Sequence, residues 1–242
     1  MRIGLAQTKA VRGDIQANIE NHIHFIQRAI QLNTGLVIFP ELSITGYEPD
    51  MAQELSTRIE DEIFNPFQEF SDTHDIIIGV GMPLKTTDGV TISMLIFQPH
   101  QSRLEYSKQI LHPDELPYFK SGSQQPSLSI QKKRIALGIC YETLQREHLT
   151  KAKENNAEIY IASVSKPDRG TDRAYLHFPV VAKEFKMTIL MVNSVGFCDN
   201  FHSNGRSSIW DSEGQLIGEL DNANEGLLIY DTDIETVISI QS

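Results

Sequence analysis

Apolar residues along this chain fall into two rhythms that take turns. Compact apolar runs from Ile3 to Gln7, Gly35 to Phe39 and Ile76 to Val80 predict buried strands. Between them the spacing changes to threes and fours. Ile15, Ile19, Ile23, Ile26 and Ile30 line one helical face behind Asp14, which stands at an N-cap. Ile63, Phe67 and Phe70 do the same within a helix expected from Ile59 to Asp72. Strands are expected over Thr91 to Phe97 and Arg103 to Ser107, then a Pro- and Gly-rich loop from His112 to Pro126. The strand Arg134 to Ile139 ends at Cys140. Helix Gln145 to Asn155, strand Glu158 to Ser163, helix Asp172 to Lys186 and strand Met187 to Asn193 continue the alternation. Near the end, Ser207 to Trp210, Gln215 to Leu220 and Gly226 to Tyr230 are short strands between Gly or Asn turns, which suggests antiparallel hairpins. This is an α/β layout.

No Pro/Ser-rich linker, low-complexity tract or strong repeat divides the 242 residues, so residues 1–242 are expected to form one domain. The formal net charge of -11 disfavours nucleic acid or an anionic membrane as partner, because both need a basic surface. The cluster Lys132-Lys133-Arg134 reads as a solvated strand entry. No stretch approaches a membrane span, and Met1 to Gln7 turns polar too early for a signal peptide. Two cysteines, Cys140 and Cys198, form no metal spacing and no disulfide framework. A reducing, cytoplasmic setting is expected.

Three segments each place one reactive side chain directly after an apolar run: Glu41 in Phe39-Pro40-Glu41-Leu42, Lys108 in Ser107-Lys108-Gln109, and Cys140 in Gly138-Ile139-Cys140-Tyr141-Glu142. The nucleophile of sulfur chemistry is the thiolate, and an unperturbed cysteine is only slightly ionised at neutral pH, so Cys140 needs activation. A strand-to-helix turn would expose its sulfur above the sheet edge and aim the Tyr141 N–H at the same point. A carboxylate such as Glu41 suits proton transfer, and an ammonium such as Lys108 suits a thiolate or an oxyanion.

These segments, in this order and spacing, resemble the three catalytic segments of the nitrilase superfamily of carbon-nitrogen hydrolases. Tyr106 and Leu111 around Lys108, and Gly205 to Asp211 near the end, extend the resemblance over nearly the whole chain. The resemblance implies a four-layer α-β-β-α sandwich, a homodimer joined through one helical layer, a Glu-Lys-Cys triad, and no metal or organic cofactor. It assigns Glu41 as general base and acid, Lys108 as stabiliser of charge, and Cys140 as nucleophile. The second glutamate of many members is best matched by Glu115, with Asp114 as a near alternative. Substrate-binding candidates are Tyr141, Tyr47, Tyr175 and Arg173. Ser165 to Leu176 departs from the family's pattern in the wall expected to face the substrate; Arg169 and Arg173 there are candidates for a substrate carboxylate, and His177 for the pocket wall. Cys140-Tyr141-Glu142 resembles the amidase branches more than the true nitrilases. The implied substrate is a small amide or carbamoyl compound, with a nitrile as the alternative.

Other readings are weaker. A Cys-His-Glu amidotransferase needs glycine two residues after its cysteine and a late His-X-Glu pair. Glu142 occupies that place, and none of the eight histidines has glutamate two residues on. Gly-X-Ser-X-Gly is absent. His22 and His24 face different ways on a helix, and Gly79-Val80-Gly81 lacks the third glycine of a dinucleotide loop. The alternative from another class is an idle family member serving as a binding module, against which the intact Glu41, Lys108 and Cys140 argue.

Overall fold

The computed structural model describes residues 1–123, 125–126, 128–131 and 133–241. Gln124 in the expected loop and Lys132 in the basic cluster lie outside the described residues. The first half runs β1 (Arg2–Gln7), α1 (Ile15–Gln31), β2 (Thr34–Ile38), α2 (Ala52–Leu55), α3 (Asn65–His74), β3 (Ile77–Thr86), β4 (Gly89–Phe97) and β5 (Leu104–Ser107). The second runs β6 (Leu128–Ile130), β7 (Lys133–Ile139), α4 (Arg146–Glu154), β8 (Ile159–Val164), α5 (Asp168–Phe185), β9 (Thr188–Asn193), β10 (Val195–Cys198), β11 (Phe201–Asn204), β12 (Ser208–Trp210) and β13 (Leu216–Glu219). Then β14 (Gly226–Asp231) and β15 (Thr236–Gln241) complete the chain.

Among the described residues, two large sheets result, ordered β15-β14-β1-β2-β3-β4-β5 and β13-β12-β9-β8-β7-β6, beside a small two-stranded sheet of β10 and β11. Each large sheet has three parallel strands at its centre, β1, β2 and β3 in one and β7, β8 and β9 in the other. Parallel strands are covered on both faces, and their residues sort accordingly. Ile3, Leu5 and Ile38 meet Leu137, Ile161 and Val192 in a core between the sheets. The other face of the first sheet, with Val37 and Ile78, packs under Phe25 and Ile26 of α1 and Phe67 of α3. Tyr160, Ala162 and Met191 on the other face of the second sheet pack under Leu149 of α4 and Phe178 of α5. Three cores separate four layers, the α-β-β-α sandwich.

Local signals behave as chemistry requires. Asp14 caps α1 by accepting from the Ala17 N–H at 3.0 Å. The helix expected from Ile59 is a 3-10 turn at Glu62–Phe64 capped by Asp61, followed by α3, because Pro66 suits a first helical turn and not an interior. The helix expected from Asp172 begins at Asp168 directly after Pro167, which brings Arg169 and Gly170 onto it. The final strands form two antiparallel hairpins, β12 with β13 and β14 with β15, and the second of these crosses to the first sheet, where β14 lies against β1. Strands β6, β10, β11 and β15 carry no clear sequence signal. Among the described residues, no helix is long and apolar enough to cross a membrane.

Candidate active site

The carboxyl ends of strands from both sheets converge on one cleft of about 1010 Å³, where open α/β sheets commonly place ligands. Glu41 stands in the turn after β2. The Ser163 hydroxyl at the end of β8 donates to the Phe39 carbonyl at 2.9 Å, which ties the two sheets together next to this turn. Behind it, His22 of α1 stacks on Phe39 with ring centroids 4.0 Å apart and bonds Ser43 Oγ at 2.9 Å. Gly81 of β3 comes so close that a Cβ there would lie 2.3 Å from the Leu42 nitrogen.

Lys108, fully buried, follows β5. Its ammonium donates to Glu41 Oε1 at 2.8 Å and to Glu115 Oε1 at 2.6 Å. Glu115 closes a 3-10 turn, Pro113–Glu115, and its second oxygen accepts from the His112 N–H at 2.8 Å. The Tyr47 hydroxyl donates to Glu115 Oε1 at 2.9 Å. Of the two acids considered from sequence, Glu115 therefore meets the lysine, while Asp114 points outward beside His112.

Cys140 takes a left-handed backbone conformation with φ of 47°, rare for a residue with a side chain, and starts a 3-10 turn, Cys140–Leu144. The expected sharp turn is present, continued by a tighter helix before α4. Its thiol donates to the Ser165 carbonyl at 3.6 Å. Glu142, buried, holds the turn by accepting from the Ile139 N–H at 2.8 Å and from the Tyr106 hydroxyl.

Charge is crowded here. Burial pushes the Lys108 ammonium down, but the two carboxylates reverse this and leave its pKa above the ordinary value, so it stays charged. Two carboxylates share that one cation, and burial raises Glu41 above the usual carboxylate range. Its Oε2 is buried and accepts no hydrogen bond of ordinary geometry among the described residues, although the nearby Cys140 thiol favours its ionised form. Burial and the Glu41 charge push the Cys140 thiol up to about 11, against the pull of Lys166 and Lys108. Burial likewise raises the Tyr47 phenol, which remains a hydrogen-bond donor.

Tyr47, Glu115, Cys140, Tyr141, Arg173 and His177 line the cleft. Tyr175 does not. It faces the opposite side of α5, with its ring 5.1 Å from Trp210 and its hydroxyl donating to Glu219 at 2.7 Å, because it sits two positions from Arg173 and hence about half a helical turn away. Sequence reasoning passed over Lys166, whose ammonium lies 3.7 Å from Cys140 Sγ. Its signal is the one that marks Lys108, a lysine just beyond the end of a strand. Among the described residues, no cluster of three or more His, Cys, Asp or Glu side chains is arranged to hold a metal ion.

A family model described as carbon-nitrogen hydrolase matches residues 2–242. A probable nitrilase of Schizosaccharomyces pombe is 24% identical over 92% of this chain and 85% of its own. A glutamine-dependent NAD(+) synthetase of Acinetobacter baylyi is 24% identical over 97% of this chain, which spans only 44% of that protein. Among solved structures, an amidase from Nesterenkonia sp. AN1 superposes with a TM-score of 0.87 at 26% identity, covering 96% of this chain and 92% of that one. Structures of its variants carry the acetamide moiety of fluoroacetamide, or acrylamide, added covalently at the active-site cysteine.

Proposed function

Since this chain belongs to the carbon-nitrogen hydrolase family, we propose that it hydrolyses a small amide or carbamoyl compound through a thioester on Cys140, releasing ammonia or an amine. The observation that carries the reading is the buried trio beside the cysteine. Lys108 is clamped by one oxygen of Glu41 and one of Glu115, while the second oxygen of Glu41 has no hydrogen-bond partner among the described residues. An unpartnered buried carboxylate oxygen with a raised pKa is suited to accept a proton near neutral pH.

In this mechanism the thiol proton passes to Glu41, and Cys140 sulfur attacks the amide carbon. The carbonyl π pair moves to oxygen, giving an oxyanion stabilised by the Lys108 ammonium and the Tyr141 N–H. Glu41 returns the proton to nitrogen as the C–N bond breaks. Water, losing a proton to Glu41, then attacks the thioester; the resulting oxyanion re-forms the carbonyl as the C–S bond breaks with its electron pair returning to sulfur, which takes the proton back from Glu41. Glu115 and Tyr47 hold Lys108 in position. Tyr141 and Arg173 border the substrate, with Arg169 also on the cleft wall. Tyrosine after the nucleophile and the likeness to an amidase favour amide over nitrile.

The reading takes residues 1–242 as one hydrolase domain that pairs into a homodimer through the α5 layer. Leu176 and Val180, one turn apart on α5, are 78% and 61% exposed and fit that role. A monomer by light scattering across micromolar concentrations would count against it.

The test is ammonia release from ω-amides including glutamine, carbamoyl amines, aliphatic amides and nitriles, beside Cys140→Ala. Release lost in the variant supports the reading and names the acyl class. A silent panel with Cys140 inert to alkylation sinks it in favour of the binding module.

A further inference from the structure

We propose that Lys166 is a second catalytic cation of this site, the group that holds the Cys140 sulfur whenever it carries negative charge. This rests on Cys140 being the nucleophile. Lys166 follows β8, and its ammonium donates to the Cys140 carbonyl at 3.1 Å while lying 3.7 Å from Sγ. Its position is built. The backbone N–H donates to Asn193 Oδ1 at 2.8 Å, and its carbonyl accepts from the Asn204 N–H at 2.9 Å and from Asn193 Nδ2 at 3.2 Å. Gly170 of α5 leaves room for the lysine stem, since a Cβ there would lie 3.2 Å from Lys166 Cβ.

Lys166 is only 4% exposed, yet it forms no salt bridge with any described residue. Lys108, equally buried, has two carboxylates. A buried ammonium without a counter-charge is costly, so an anion that forms beside it is strongly favoured. The reaction makes that anion. With both carboxylates ionised, Glu41, Lys108 and Glu115 together carry one negative charge. When the S–H bond breaks and the proton joins Glu41 Oε2, that trio becomes neutral and the negative charge moves to sulfur. Lys108 has two donors committed to carboxylates and a third for the oxyanion, whereas Lys166 sits against the sulfur itself. The same need returns when the thioester C–S bond breaks.

The charged or titratable groups that bear on the sulfur are Glu41 after β2, Tyr47 in the loop beyond it, Lys108 and Glu115 after β5, and Lys166 after β8. Among the two lysines, Lys166 favours the thiolate more than Lys108 does. The pKa of His177 on α5 is lowered, chiefly by burial and further by Arg146 and Lys166.

The test is the rate of iodoacetamide alkylation against pH for the wild type, Lys166→Met, Lys166→Gln and Lys166→Arg, with the adduct mapped to Cys140 or Cys198 and folding checked by circular dichroism. The expected result is an alkylation midpoint about one pH unit higher in the Met and Gln variants, with a rate at pH 7.5 about tenfold lower. Lys166→Arg should stay within about threefold of the wild type, since its charge is kept. In amide hydrolysis, kcat should fall with KM nearly unchanged. An unchanged midpoint in folded Met or Gln variants overturns the proposal, as does an Arg variant as slow as Met. A raised KM for anionic amides alone would also overturn it, in favour of substrate-carboxylate binding. A wild type inert at Cys140 would instead remove the nucleophile on which the proposal stands.

Discussion

The carboxylate of Glu142, two residues beyond Cys140, accepts a hydrogen bond at 2.7 Å from the backbone N–H of Gln109, the residue after Lys108. It also takes the Ile110 N–H at 3.0 Å on the same oxygen. One buried side chain thus links the turn that carries the thiol to the turn that carries the ammonium, although the two lie on different sheets. His148 and Tyr160 extend this network, with the Tyr106 hydroxyl between Glu142 and His148. Buried networks of this kind hold geometry only while every member is satisfied.

Glu142→Gln puts an amide NH₂ where backbone N–H donors converge. We expect a loss of about 2–4 kcal/mol in urea unfolding, together with reduced ammonia release from the fraction that remains folded. Unchanged stability would show that the carboxylate does not bear this load.

Glu115→Gln leaves Lys108 with one carboxylate and weakens its anchoring through Tyr47. The expected result is a kcat lower by on the order of a hundredfold with KM within about threefold, measured by steady-state ammonia release. Asp114→Asn is the comparison and should leave kcat within about twofold, because Asp114 makes no contact with Lys108.

Gly81→Ala forces a methyl group against the Glu41 turn, 2.3 Å from the Leu42 nitrogen and 2.5 Å from the Pro40 carbonyl. Backbone atoms cannot yield as a side-chain tip can. A stability loss of about 1–3 kcal/mol and a greater loss of activity than of stability are expected, from thermal melts and rates on the same preparation.

Protonation of His22 supplies a pH dependence of folding. Burial lowers its pKa from the ordinary 6.5 to about 4, against the Asn18 carbonyl. Between those values the unfolded chain binds a proton that the folded chain refuses, so stability falls as pH drops from about 6.5 to about 4 and the penalty is constant below. The full effect is about 3 kcal/mol. Urea midpoints at pH 7 and pH 4.5 should lie closer together in His22→Gln than in the wild type; equal slopes would refute the assignment.

Much of the fold was legible because its signals are local. Asp14 caps the helix it precedes, and the central strands are apolar enough to need cover on both faces, whereas the four-layer arrangement was an expectation from the family resemblance. Elements without a strong local pattern escaped: β15 is a largely exposed edge strand, and β10 and β11 are four residues each. Boundaries slipped where proline acted, as at Pro66 and Pro167. Within the candidate site, Glu41, Lys108 and Cys140 stood out because each follows a strand end within a segment that resembles the family's, and Glu115 because the resemblance supplied a second glutamate.

By itself, then, the sequence determined the alternation of strands and helices, the family, and the side chains carried to the strand ends, since these depend on residues near one another along the chain. The tertiary structure decided which of them meet. Whether Glu115 or Asp114 reaches Lys108 depends on how one 3-10 turn is rotated over the end of β5. Tyr175 turns away from the cleft while Arg173 lines it, since two residues along a helix are about 200° apart. Lys166 reaches Cys140 because β8 lies parallel to β7 in register, with Gly138 opposite Ala162 and Ile139 opposite Ser163. Such partnerships rest on strand order and helix rotation, which arise when distant apolar faces pack together and leave no periodic trace at the positions they join.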